Sequence, residues 1–475
     1  MGDRDATQQI SHGQSRLLGM QPEILNLILE DLSASALSRV SGTTSTLNQL
    51  IEGILVNRAE RAGVHIGEAR PRQVAKLMSR HDESYMPIAA GDTESSFFVT
   101  EGGTLTYASN SGVFDCLQVE CFKDIKLRNV YFRGGAWAAI TAGGEVYSCL
   151  YDGFEYNEPL LGRARSLPVS MLPTKRVMSV AVGLTHCLAV TQGGELMSWG
   201  TNGHGQCGHG STSNDYLSPR VVDGFNGAHA RSASAGRVHS LVVTDDGTLY
   251  SFGCGAHGQL GHGTYGPGNS LTPMSRGGYD SAYSPTKVHV TTGVDVWHGG
   301  RIVAAAAGSK HSIALAADGR VFTWGDNELG QLGMSDCIQT IGVPQWVGYL
   351  GEANGLNGIN RTRVCRVAAG WENSFAITEG GELFHWGLHQ IEREVPDNID
   401  DDVASHKYYQ HFPRAIQAIG MHTVAAVSST NTHTLAVTDR GDVYGCQNGI
   451  HASPSTWRKY EHVKCTPAPK RHRTR

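Results

Sequence analysis

One stretch, GSKHSIALAADGRVFTWGDNELGQLG at residues 308–333, recurs along the chain in register, and that recurrence limits the fold more than any other feature. With Gly319 as the anchor, the second residue of a two-residue turn returns at Gly103, Gly144, Gly194, Gly247, Gly381 and Gly441. The spacings of 41, 50, 53, 72, 62 and 60 residues lie where one repeat makes one small antiparallel sheet. Seven such sheets are a ring-sized number.

Within one copy, HSIALA alternates as a half-buried strand does, Asp318-Gly319 supplies the positive φ of a tight hairpin, and RVFTWG resumes the alternation. A third strand precedes the hairpin in IVAAAAG at 302–308. A fourth follows the GQLG loop in VPQWVGYL at 343–350, where Pro344 requires an edge position. Each repeat is therefore expected to be a four-stranded meander. GLTHCLAVTQGGELMSWG from Gly183, GRVHSLVVTDDGTLYSFG from Gly236, GWENSFAITEGGELFHWG from Gly370 and NTHTLAVTDRGDVYGCQNG from Asn431 keep this plan. The segments from Ser95 and Gly135 keep the strands and turn but lose Trp-Gly and GQLG.

The recurring H-S-x-x-L/V-T-x-D/G-G-x-L/V-Y-x-W-G-x-N-x-x-G-Q-L-G pattern resembles the repeat of the regulator of chromosome condensation family. The resemblance implies a mainly β fold, a seven-bladed β-propeller of four-stranded antiparallel blades, over residues 86–463. Blades stacked radially bury one another's faces, and a closed ring protects the sheet edges. The expected ring is closed by pairing a terminal strand, YMPIAAG at 85–91 or STWRKYEHVKC at 455–465, with the last blade. Structural repeat positions are Gly194, Gly247, Gly319 and Gly381 at the turns, and Trp199, Phe252, Trp324 and Trp386 at the Trp-Gly position. His186, His239, His311 and His433 share a further position, where an imidazole bonded to a neighbouring backbone group is expected.

The first eighty or so residues follow a helical period instead. Ile24, Leu25, Ile28 and Leu32 lie on one face after Pro22 and Glu23; Leu37 and Val40 mark a second helix, and Leu47, Leu50, Ile51 and Ile54 a third. Met20-Gln21-Pro22-Glu23-Ile24-Leu25, Leu37-Ser38-Arg39-Val40-Ser41 and Leu47-Asn48-Gln49-Leu50 make this segment similar to an F-box. It departs from the usual pattern in the spacing at Met20-Gln21 and in Thr43-Thr44 where Cys-Arg is customary. That resemblance implies binding to a Skp-type adaptor of a cullin ubiquitin ligase through Met20, Pro22, Ile24, Leu25, Ile28, Leu32, Leu37, Val40, Leu47 and Leu50. The expected organisation is a disordered N-terminus at 1–16, the small F-box-like α-helical domain at 17–55, a helical linker at 56–85, the propeller at 86–463 and a basic tail at 464–475.

Charge divides along the chain. Residues 84–463 hold 25 basic and 34 acidic side chains, which argues against nucleic-acid binding by the propeller, whereas 464–475 hold five basic and none acidic. No run of 18 apolar residues offers a membrane span, and the polar opening sequence lacks the apolar core of a signal peptide. Ten cysteines without C-x-x-C spacing read as reduced thiols, so cytoplasm or nucleus is the expected location.

Catalytic motifs are missing: no phosphate loop, H-E-x-x-H or G-x-S-x-G occurs. Gly203-His204-Gly205-Gln206-Cys207-Gly208 fits G-x-G-x-x-G, but the same loop recurs as GQLG without a following helix, so no dinucleotide is expected. Cys254, His257 and His262, like His204, Cys207 and His209, offer three candidate ligands each on separate repeats, too few for a structural zinc site. No catalytic residue, metal or cofactor is therefore assigned. Two insertions, 262–285 rich in Gly, Ser, Pro and Tyr, and 388–412 acidic with terminal aromatics, are the expected recognition loops for a substrate protein or a small GTPase. The expected function is a substrate-recognition subunit of a cullin-type ubiquitin ligase. The alternatives are an exchange factor or regulator for a Ran-like GTPase and a non-catalytic scaffold.

Overall fold

The computed structural model describes residues 88–90, 95–109, 117–118, 122, 124–133, 136–149, 176–212, 216–263, 281–289, 301–334, 339–347, 363–389, 408–416, 423–430, 433–447 and 457–465. Each of the seven anchor glycines has a left-handed φ, between 80° and 92°. The turns close in the same way: Gly194 N–H donates to Thr191 O at 2.9 Å, and in most copies the threonine hydroxyl before the turn accepts the N–H four residues on, as in Glu195 N–H to Thr191 Oγ1 at 3.1 Å. In the copy that carries Ala316 instead, the Asp318 carboxylate accepts the Arg320 N–H at 3.0 Å. The local turn chemistry is thus satisfied by two different side chains.

Seven antiparallel sheets follow, each built from consecutive strands: blade 1 from 88–118, blade 2 from 127–149, blade 3 from 177–221, blade 4 from 230–287, blade 5 from 302–346, blade 6 from 364–415 and blade 7 from 424–464. Six have four strands; blade 2 has three among the described residues. In blade 5 the strands are Ile302–Ala307, His311–Ala316, Val321–Asp326 and Thr340–Trp346. The outer strand begins three residues before the expected 343, and Pro344 sits in it where the register against Val321–Asp326 shifts. An edge strand loses no ladder bond on its open side, so the proline is tolerated there.

The first strand of every blade faces the axis. Neighbouring inner strands touch in sequence around the molecule, and Ile88–Ala90 meets Val424–Ser429, so the ring is closed. Residues Met86–Ala468 form one compact unit. Its core lies between blades: Trp199 packs with Ala136, Ile140 and Val146 of the preceding blade, Phe252 with Leu188 and Val190, Trp324 with Leu241 and Val243, and Trp386 with Ile313 and Leu315. All four aromatic rings are essentially fully buried. A blade therefore borrows its largest buried side chain from the next one, which explains why the array needs its neighbours.

The expected pairing of a terminal strand with the last blade is present, since Arg458–Lys464 pairs with Asp442–Gln447 and completes blade 7. A second crossing between the two ends of the chain occurs at blade 1. There the first rung of the inner strand, Thr141 with Leu127 in blade 2 and Thr191 with Val177 in blade 3, is formed by Thr100 with Cys465. Cys465 N–H donates to Gly441 O at 2.9 Å, as Val177 N–H does to Gly144 O, and Glu101 N–H donates to Lys464 O at 3.0 Å. The inner strand of blade 1 is thus composite: Cys465 opens it, and Ile88–Ala90 supplies the rest, opposite Phe98, Phe97 and Ser96. No α-helix occurs among the described residues, and the helices expected at 17–55 and 56–85 lie outside them.

Candidate functional site

Strand direction sorts the loops. The hairpins at the seven anchor glycines and the links from blade to blade share one face; the links between first and second strands and between third and fourth strands share the other. Both insertions, 262–285 in blade 4 and 388–412 in blade 6, join third to fourth strands and so issue from the same face. Of them the described parts are 262–263, 281–285, 388–389 and 408–412, where Tyr283 and Phe412 are exposed.

Below that face runs a belt of buried polar groups. His186 Nε2 lies 2.9 Å from Ser240 Oγ of the next blade, His239 Nε2 3.0 Å from Ser312 Oγ, and His311 Nε2 3.0 Å from Ser374 Oγ. Each serine hydroxyl donates in turn to a carbonyl of the first blade's GQ loop: Ser240 to Gln206 O at 2.7 Å, Ser312 to Gln259 O at 2.7 Å, and Ser374 to Gln331 O at 2.8 Å. Having spent its one proton, the serine can only accept, so Nε2 carries the imidazole proton. The partner at Nε2 is therefore a serine hydroxyl, and the backbone of the next blade, at His311 for His239 and at Asn373 for His311, also bonds to the imidazole. His433 completes the ring junction with Ser96 at 3.2 Å, and Ser96 also meets Tyr460 Oη at 3.0 Å.

The tryptophans join the same carbonyls, Trp324 Nε1–H to Gln259 O at 2.8 Å and Trp386 Nε1–H to Gln331 O at 3.0 Å. Gln206 O receives no such donor from Phe252, and Trp199 Nε1 has no hydrogen-bond partner among the described residues. Gln206, Gln259 and Gln331 are buried, and their side-chain oxygens accept the N–H of the residue two before, which holds the loop tight. Sequence reasoning read GQLG as a repeat mark and did not assign it this clamping work.

Comparison with known proteins identifies the repeat. The regulator of chromosome condensation (RCC1) repeat matches at residues 193–243, 246–315 and 318–377, and a second form of it at 177–206, 230–259 and 302–331. The ultraviolet-B receptor UVR8 of Arabidopsis thaliana is 30% identical over 391 residues, 81% of this chain and 79% of that one. This chain belongs to the RCC1 repeat family. The E3 ubiquitin-protein ligase HERC2 of Mus musculus is 30% identical over 338 residues, 68% of this chain but 6% of HERC2. Prp20p of Saccharomyces cerevisiae, whose crystal structure was described with its binding to Gsp1p and histones, matches at a TM-score of 0.55 and 17% identity, over 83% of this chain and 89% of that one. At that identity the likeness carries the fold alone.

In this RCC1-repeat ring three of the six sequence-derived metal candidates are engaged in hydrogen bonds of the blades. His209 Nε2 bonds to Ser198 Oγ at 2.9 Å, His262 Nε2 to Ser251 Oγ at 2.8 Å, and the buried Cys207 thiol points at the Gly200 and Thr201 carbonyls. Among the described residues no group of three His, Cys, Asp or Glu is placed to hold a metal ion, and no helix is long and apolar enough to cross a membrane. The adaptor-binding positions Met20, Pro22, Ile24, Leu25, Ile28, Leu32, Leu37, Val40, Leu47 and Leu50 lie outside the described residues.

Burial, with the Arg133 charge nearby, lowers His186 and His311 to about 3 and holds His239 well below the ordinary value of 6.5. These imidazoles are neutral in the fold, whereas the unfolded chain takes up protons near pH 6.5. Stability is therefore complete above pH 6.5 and falls as the pH is lowered from there towards about 3, by about 1 kcal/mol per imidazole per pH unit. Urea midpoints measured from pH 7.5 to 4.5 are expected to drop more steeply for wild type than for His186→Gln. Parallel curves would contradict this origin.

Proposed function

We propose that this protein recognises a protein partner on the face from which both long insertions emerge, and that its N-terminal segment, 17–55, delivers that partner to a cullin-type ubiquitin ligase through a Skp-type adaptor. The observation that carries the first half is the shared face of 262–285 and 388–412, on blades 4 and 6 of one closed ring. Their exposed aromatics, Tyr283 and Phe412, supply large contact area at low entropic cost. The second half rests on the F-box-like spacing of Pro22, Leu25, Ile28, Leu32, Val40 and Leu50. The protein itself performs no chemistry in this reading, and it acts in the cytoplasm or nucleus.

Co-expression with a Skp-type adaptor tests it. Pro22→Ala with Leu25→Ala is expected to abolish adaptor co-purification while leaving the unfolding midpoint of the ring unchanged, since each truncated anchor is worth about 1–3 kcal/mol at such an interface. Failure of the wild type to recover adaptor, with a lowered midpoint in the variant, would overturn the ligase assignment. Accelerated nucleotide release from a Ran-like GTPase would move the reading to an exchange factor.

A further inference from the structure

The His–Ser belt joins blades 3 to 4, 4 to 5, 5 to 6 and 7 to 1. Blade 6 carries Asn373 at the histidine position, blade 1 carries Ser95 there, and blade 2 has neither the histidine nor the serine, with Ala136 and Trp137 in their places. Register equates Arg133 with Gly236 and Ala136 with His239, because Phe132 pairs with Trp137 as Ala235 pairs with Ser240. Blade 2 thus carries Arg and Ala where blades 3, 4 and 5 carry Gly and His, and the serine position of blade 3 is Cys187. These changes belong together. A Cβ on Gly183, Gly236 or Gly308 would fall 2.5, 2.4 or 2.1 Å from the imidazole Cε1 of its own loop. With the imidazole cut back to Ala136, the position accepts a side chain.

That side chain spans the hub. Arg133 ends the inner strand Leu127–Arg133, and its guanidinium reaches the ends of three inner strands in other blades. Nη1–H groups donate to Ala235 O at 2.6 Å and Ala307 O at 2.8 Å, and Nη2–H donates to Gly370 O at 3.0 Å. Those carbonyls belong to blades 4, 5 and 6, and in a ring of seven, blades 5 and 6 are the farthest from blade 2. Converging strand ends present carbonyl oxygens that have no reason to meet one another, and a planar cation with several donors fits them. Blade 2 also holds its neighbour directly, through Arg128 Nη2–H to Met178 O at 2.7 Å.

We infer that Arg133 is a latch across the ring, tying blade 2, which holds neither member of the His–Ser clamp, to the inner strands of blades 4 to 6. Charge-assisted bonds to three separate blades make the hub act as one body, and opening the latch frees blade 2 without opening the belt elsewhere.

Amide hydrogen exchange on the full chain tests this. Arg133→Met keeps the bulk and removes the donors; exchange is expected to rise about tenfold or more in 127–149 and also at the distant strand ends 235–236, 307–308 and 370, with the hairpin 188–198 unaffected. A response confined to blade 2, or none, would overturn the latch. Should Arg133→Met fail to fold, Arg133→Gln decides: its shorter, uncharged side chain offers a single amide nitrogen that cannot bridge three blades, so exchange at 236, 308 and 370 still rises, and wild-type protection there overturns the proposal. A chain with Arg133→Gly, Ala136→His and Cys187→Ser installs the ordinary clamp between blades 2 and 3. It is expected to regain protection in 127–149 and 177–191 but not at 307–308 and 370; recovery at those distant sites would show that they never depended on the guanidinium.

Discussion

Trp324→Ala is expected to destabilise the ring by about 3–5 kcal/mol, the range for removing a fully buried indole and leaving part of its space unfilled. The side chain is inaccessible and packs with Leu241, Val243 and Leu249 of blade 4 and Phe322 of its own blade. Its Nε1–H also satisfies Gln259 O, and Gly261 lies beneath it with no room for a Cβ, which would fall 2.8 Å from Nε1. Blade 4 supplies the milder comparison, because Phe252 fills the same position against blade 3 without the hydrogen bond. Trp324→Phe is therefore expected to cost about 1–2 kcal/mol, Gln259 O keeping its bond from Ser312. Denaturant unfolding followed by exchange in 239–253 and 311–326 reads both. A midpoint that barely moves, with partner binding lost, would make the tryptophan a binding residue.

The parts of this fold legible in the sequence are those that each repeat states for itself. Asp318-Gly319 specifies a left-handed turn, HSIALA specifies the strand before it, and the recurrence specifies the ring, because a four-stranded meander has two faces to bury. What depended on a relation between repeats was harder to read. The partner of His311 is Ser374, sixty-three residues away and in another blade, and no spacing within one repeat predicts it. The composite inner strand of blade 1 was hidden because Ile88–Ala90 and Cys465 come from opposite ends of the chain; each looked like spare strand material. Arg133 was hidden for the opposite reason. In a copy that has lost His, Trp-Gly and GQLG, a replaced glycine looks like decay, and only the three carbonyls around the guanidinium show what replaced it.

The glycine that Arg133 replaces gives the second large effect, expected at Gly308. This residue is outside the left-handed region, so its need for glycine is one of space rather than of backbone conformation. A Cβ there would stand 2.1 Å from His311 Cε1 and 2.3 Å from Nδ1, and the imidazole cannot retreat without leaving Ser374. Gly308→Ala is therefore expected to cost about 2–4 kcal/mol, combining overpacking with a broken buried hydrogen bond. Blade 7 sets the bound on relaxation. There Thr430 occupies the glycine position beside His433, and the local bonds are longer: Thr430 N–H to His433 O is 3.1 Å against 2.8 Å at Gly308, and His433 to Ser96 is 3.2 Å against 3.0 Å for His311 to Ser374. Blade 2 shows the other solution, a side chain at this position with alanine in place of the histidine. A double-mutant cycle separates the two. If the clash with the ring is the cause, Gly308→Ala added to His311→Ala costs little further, and the coupling approaches the full cost of the single change. Additive costs, or a nearly neutral Gly308→Ala, would mean that the loop yields as it does at Thr430 and that the glycine is not what holds the imidazole in the belt.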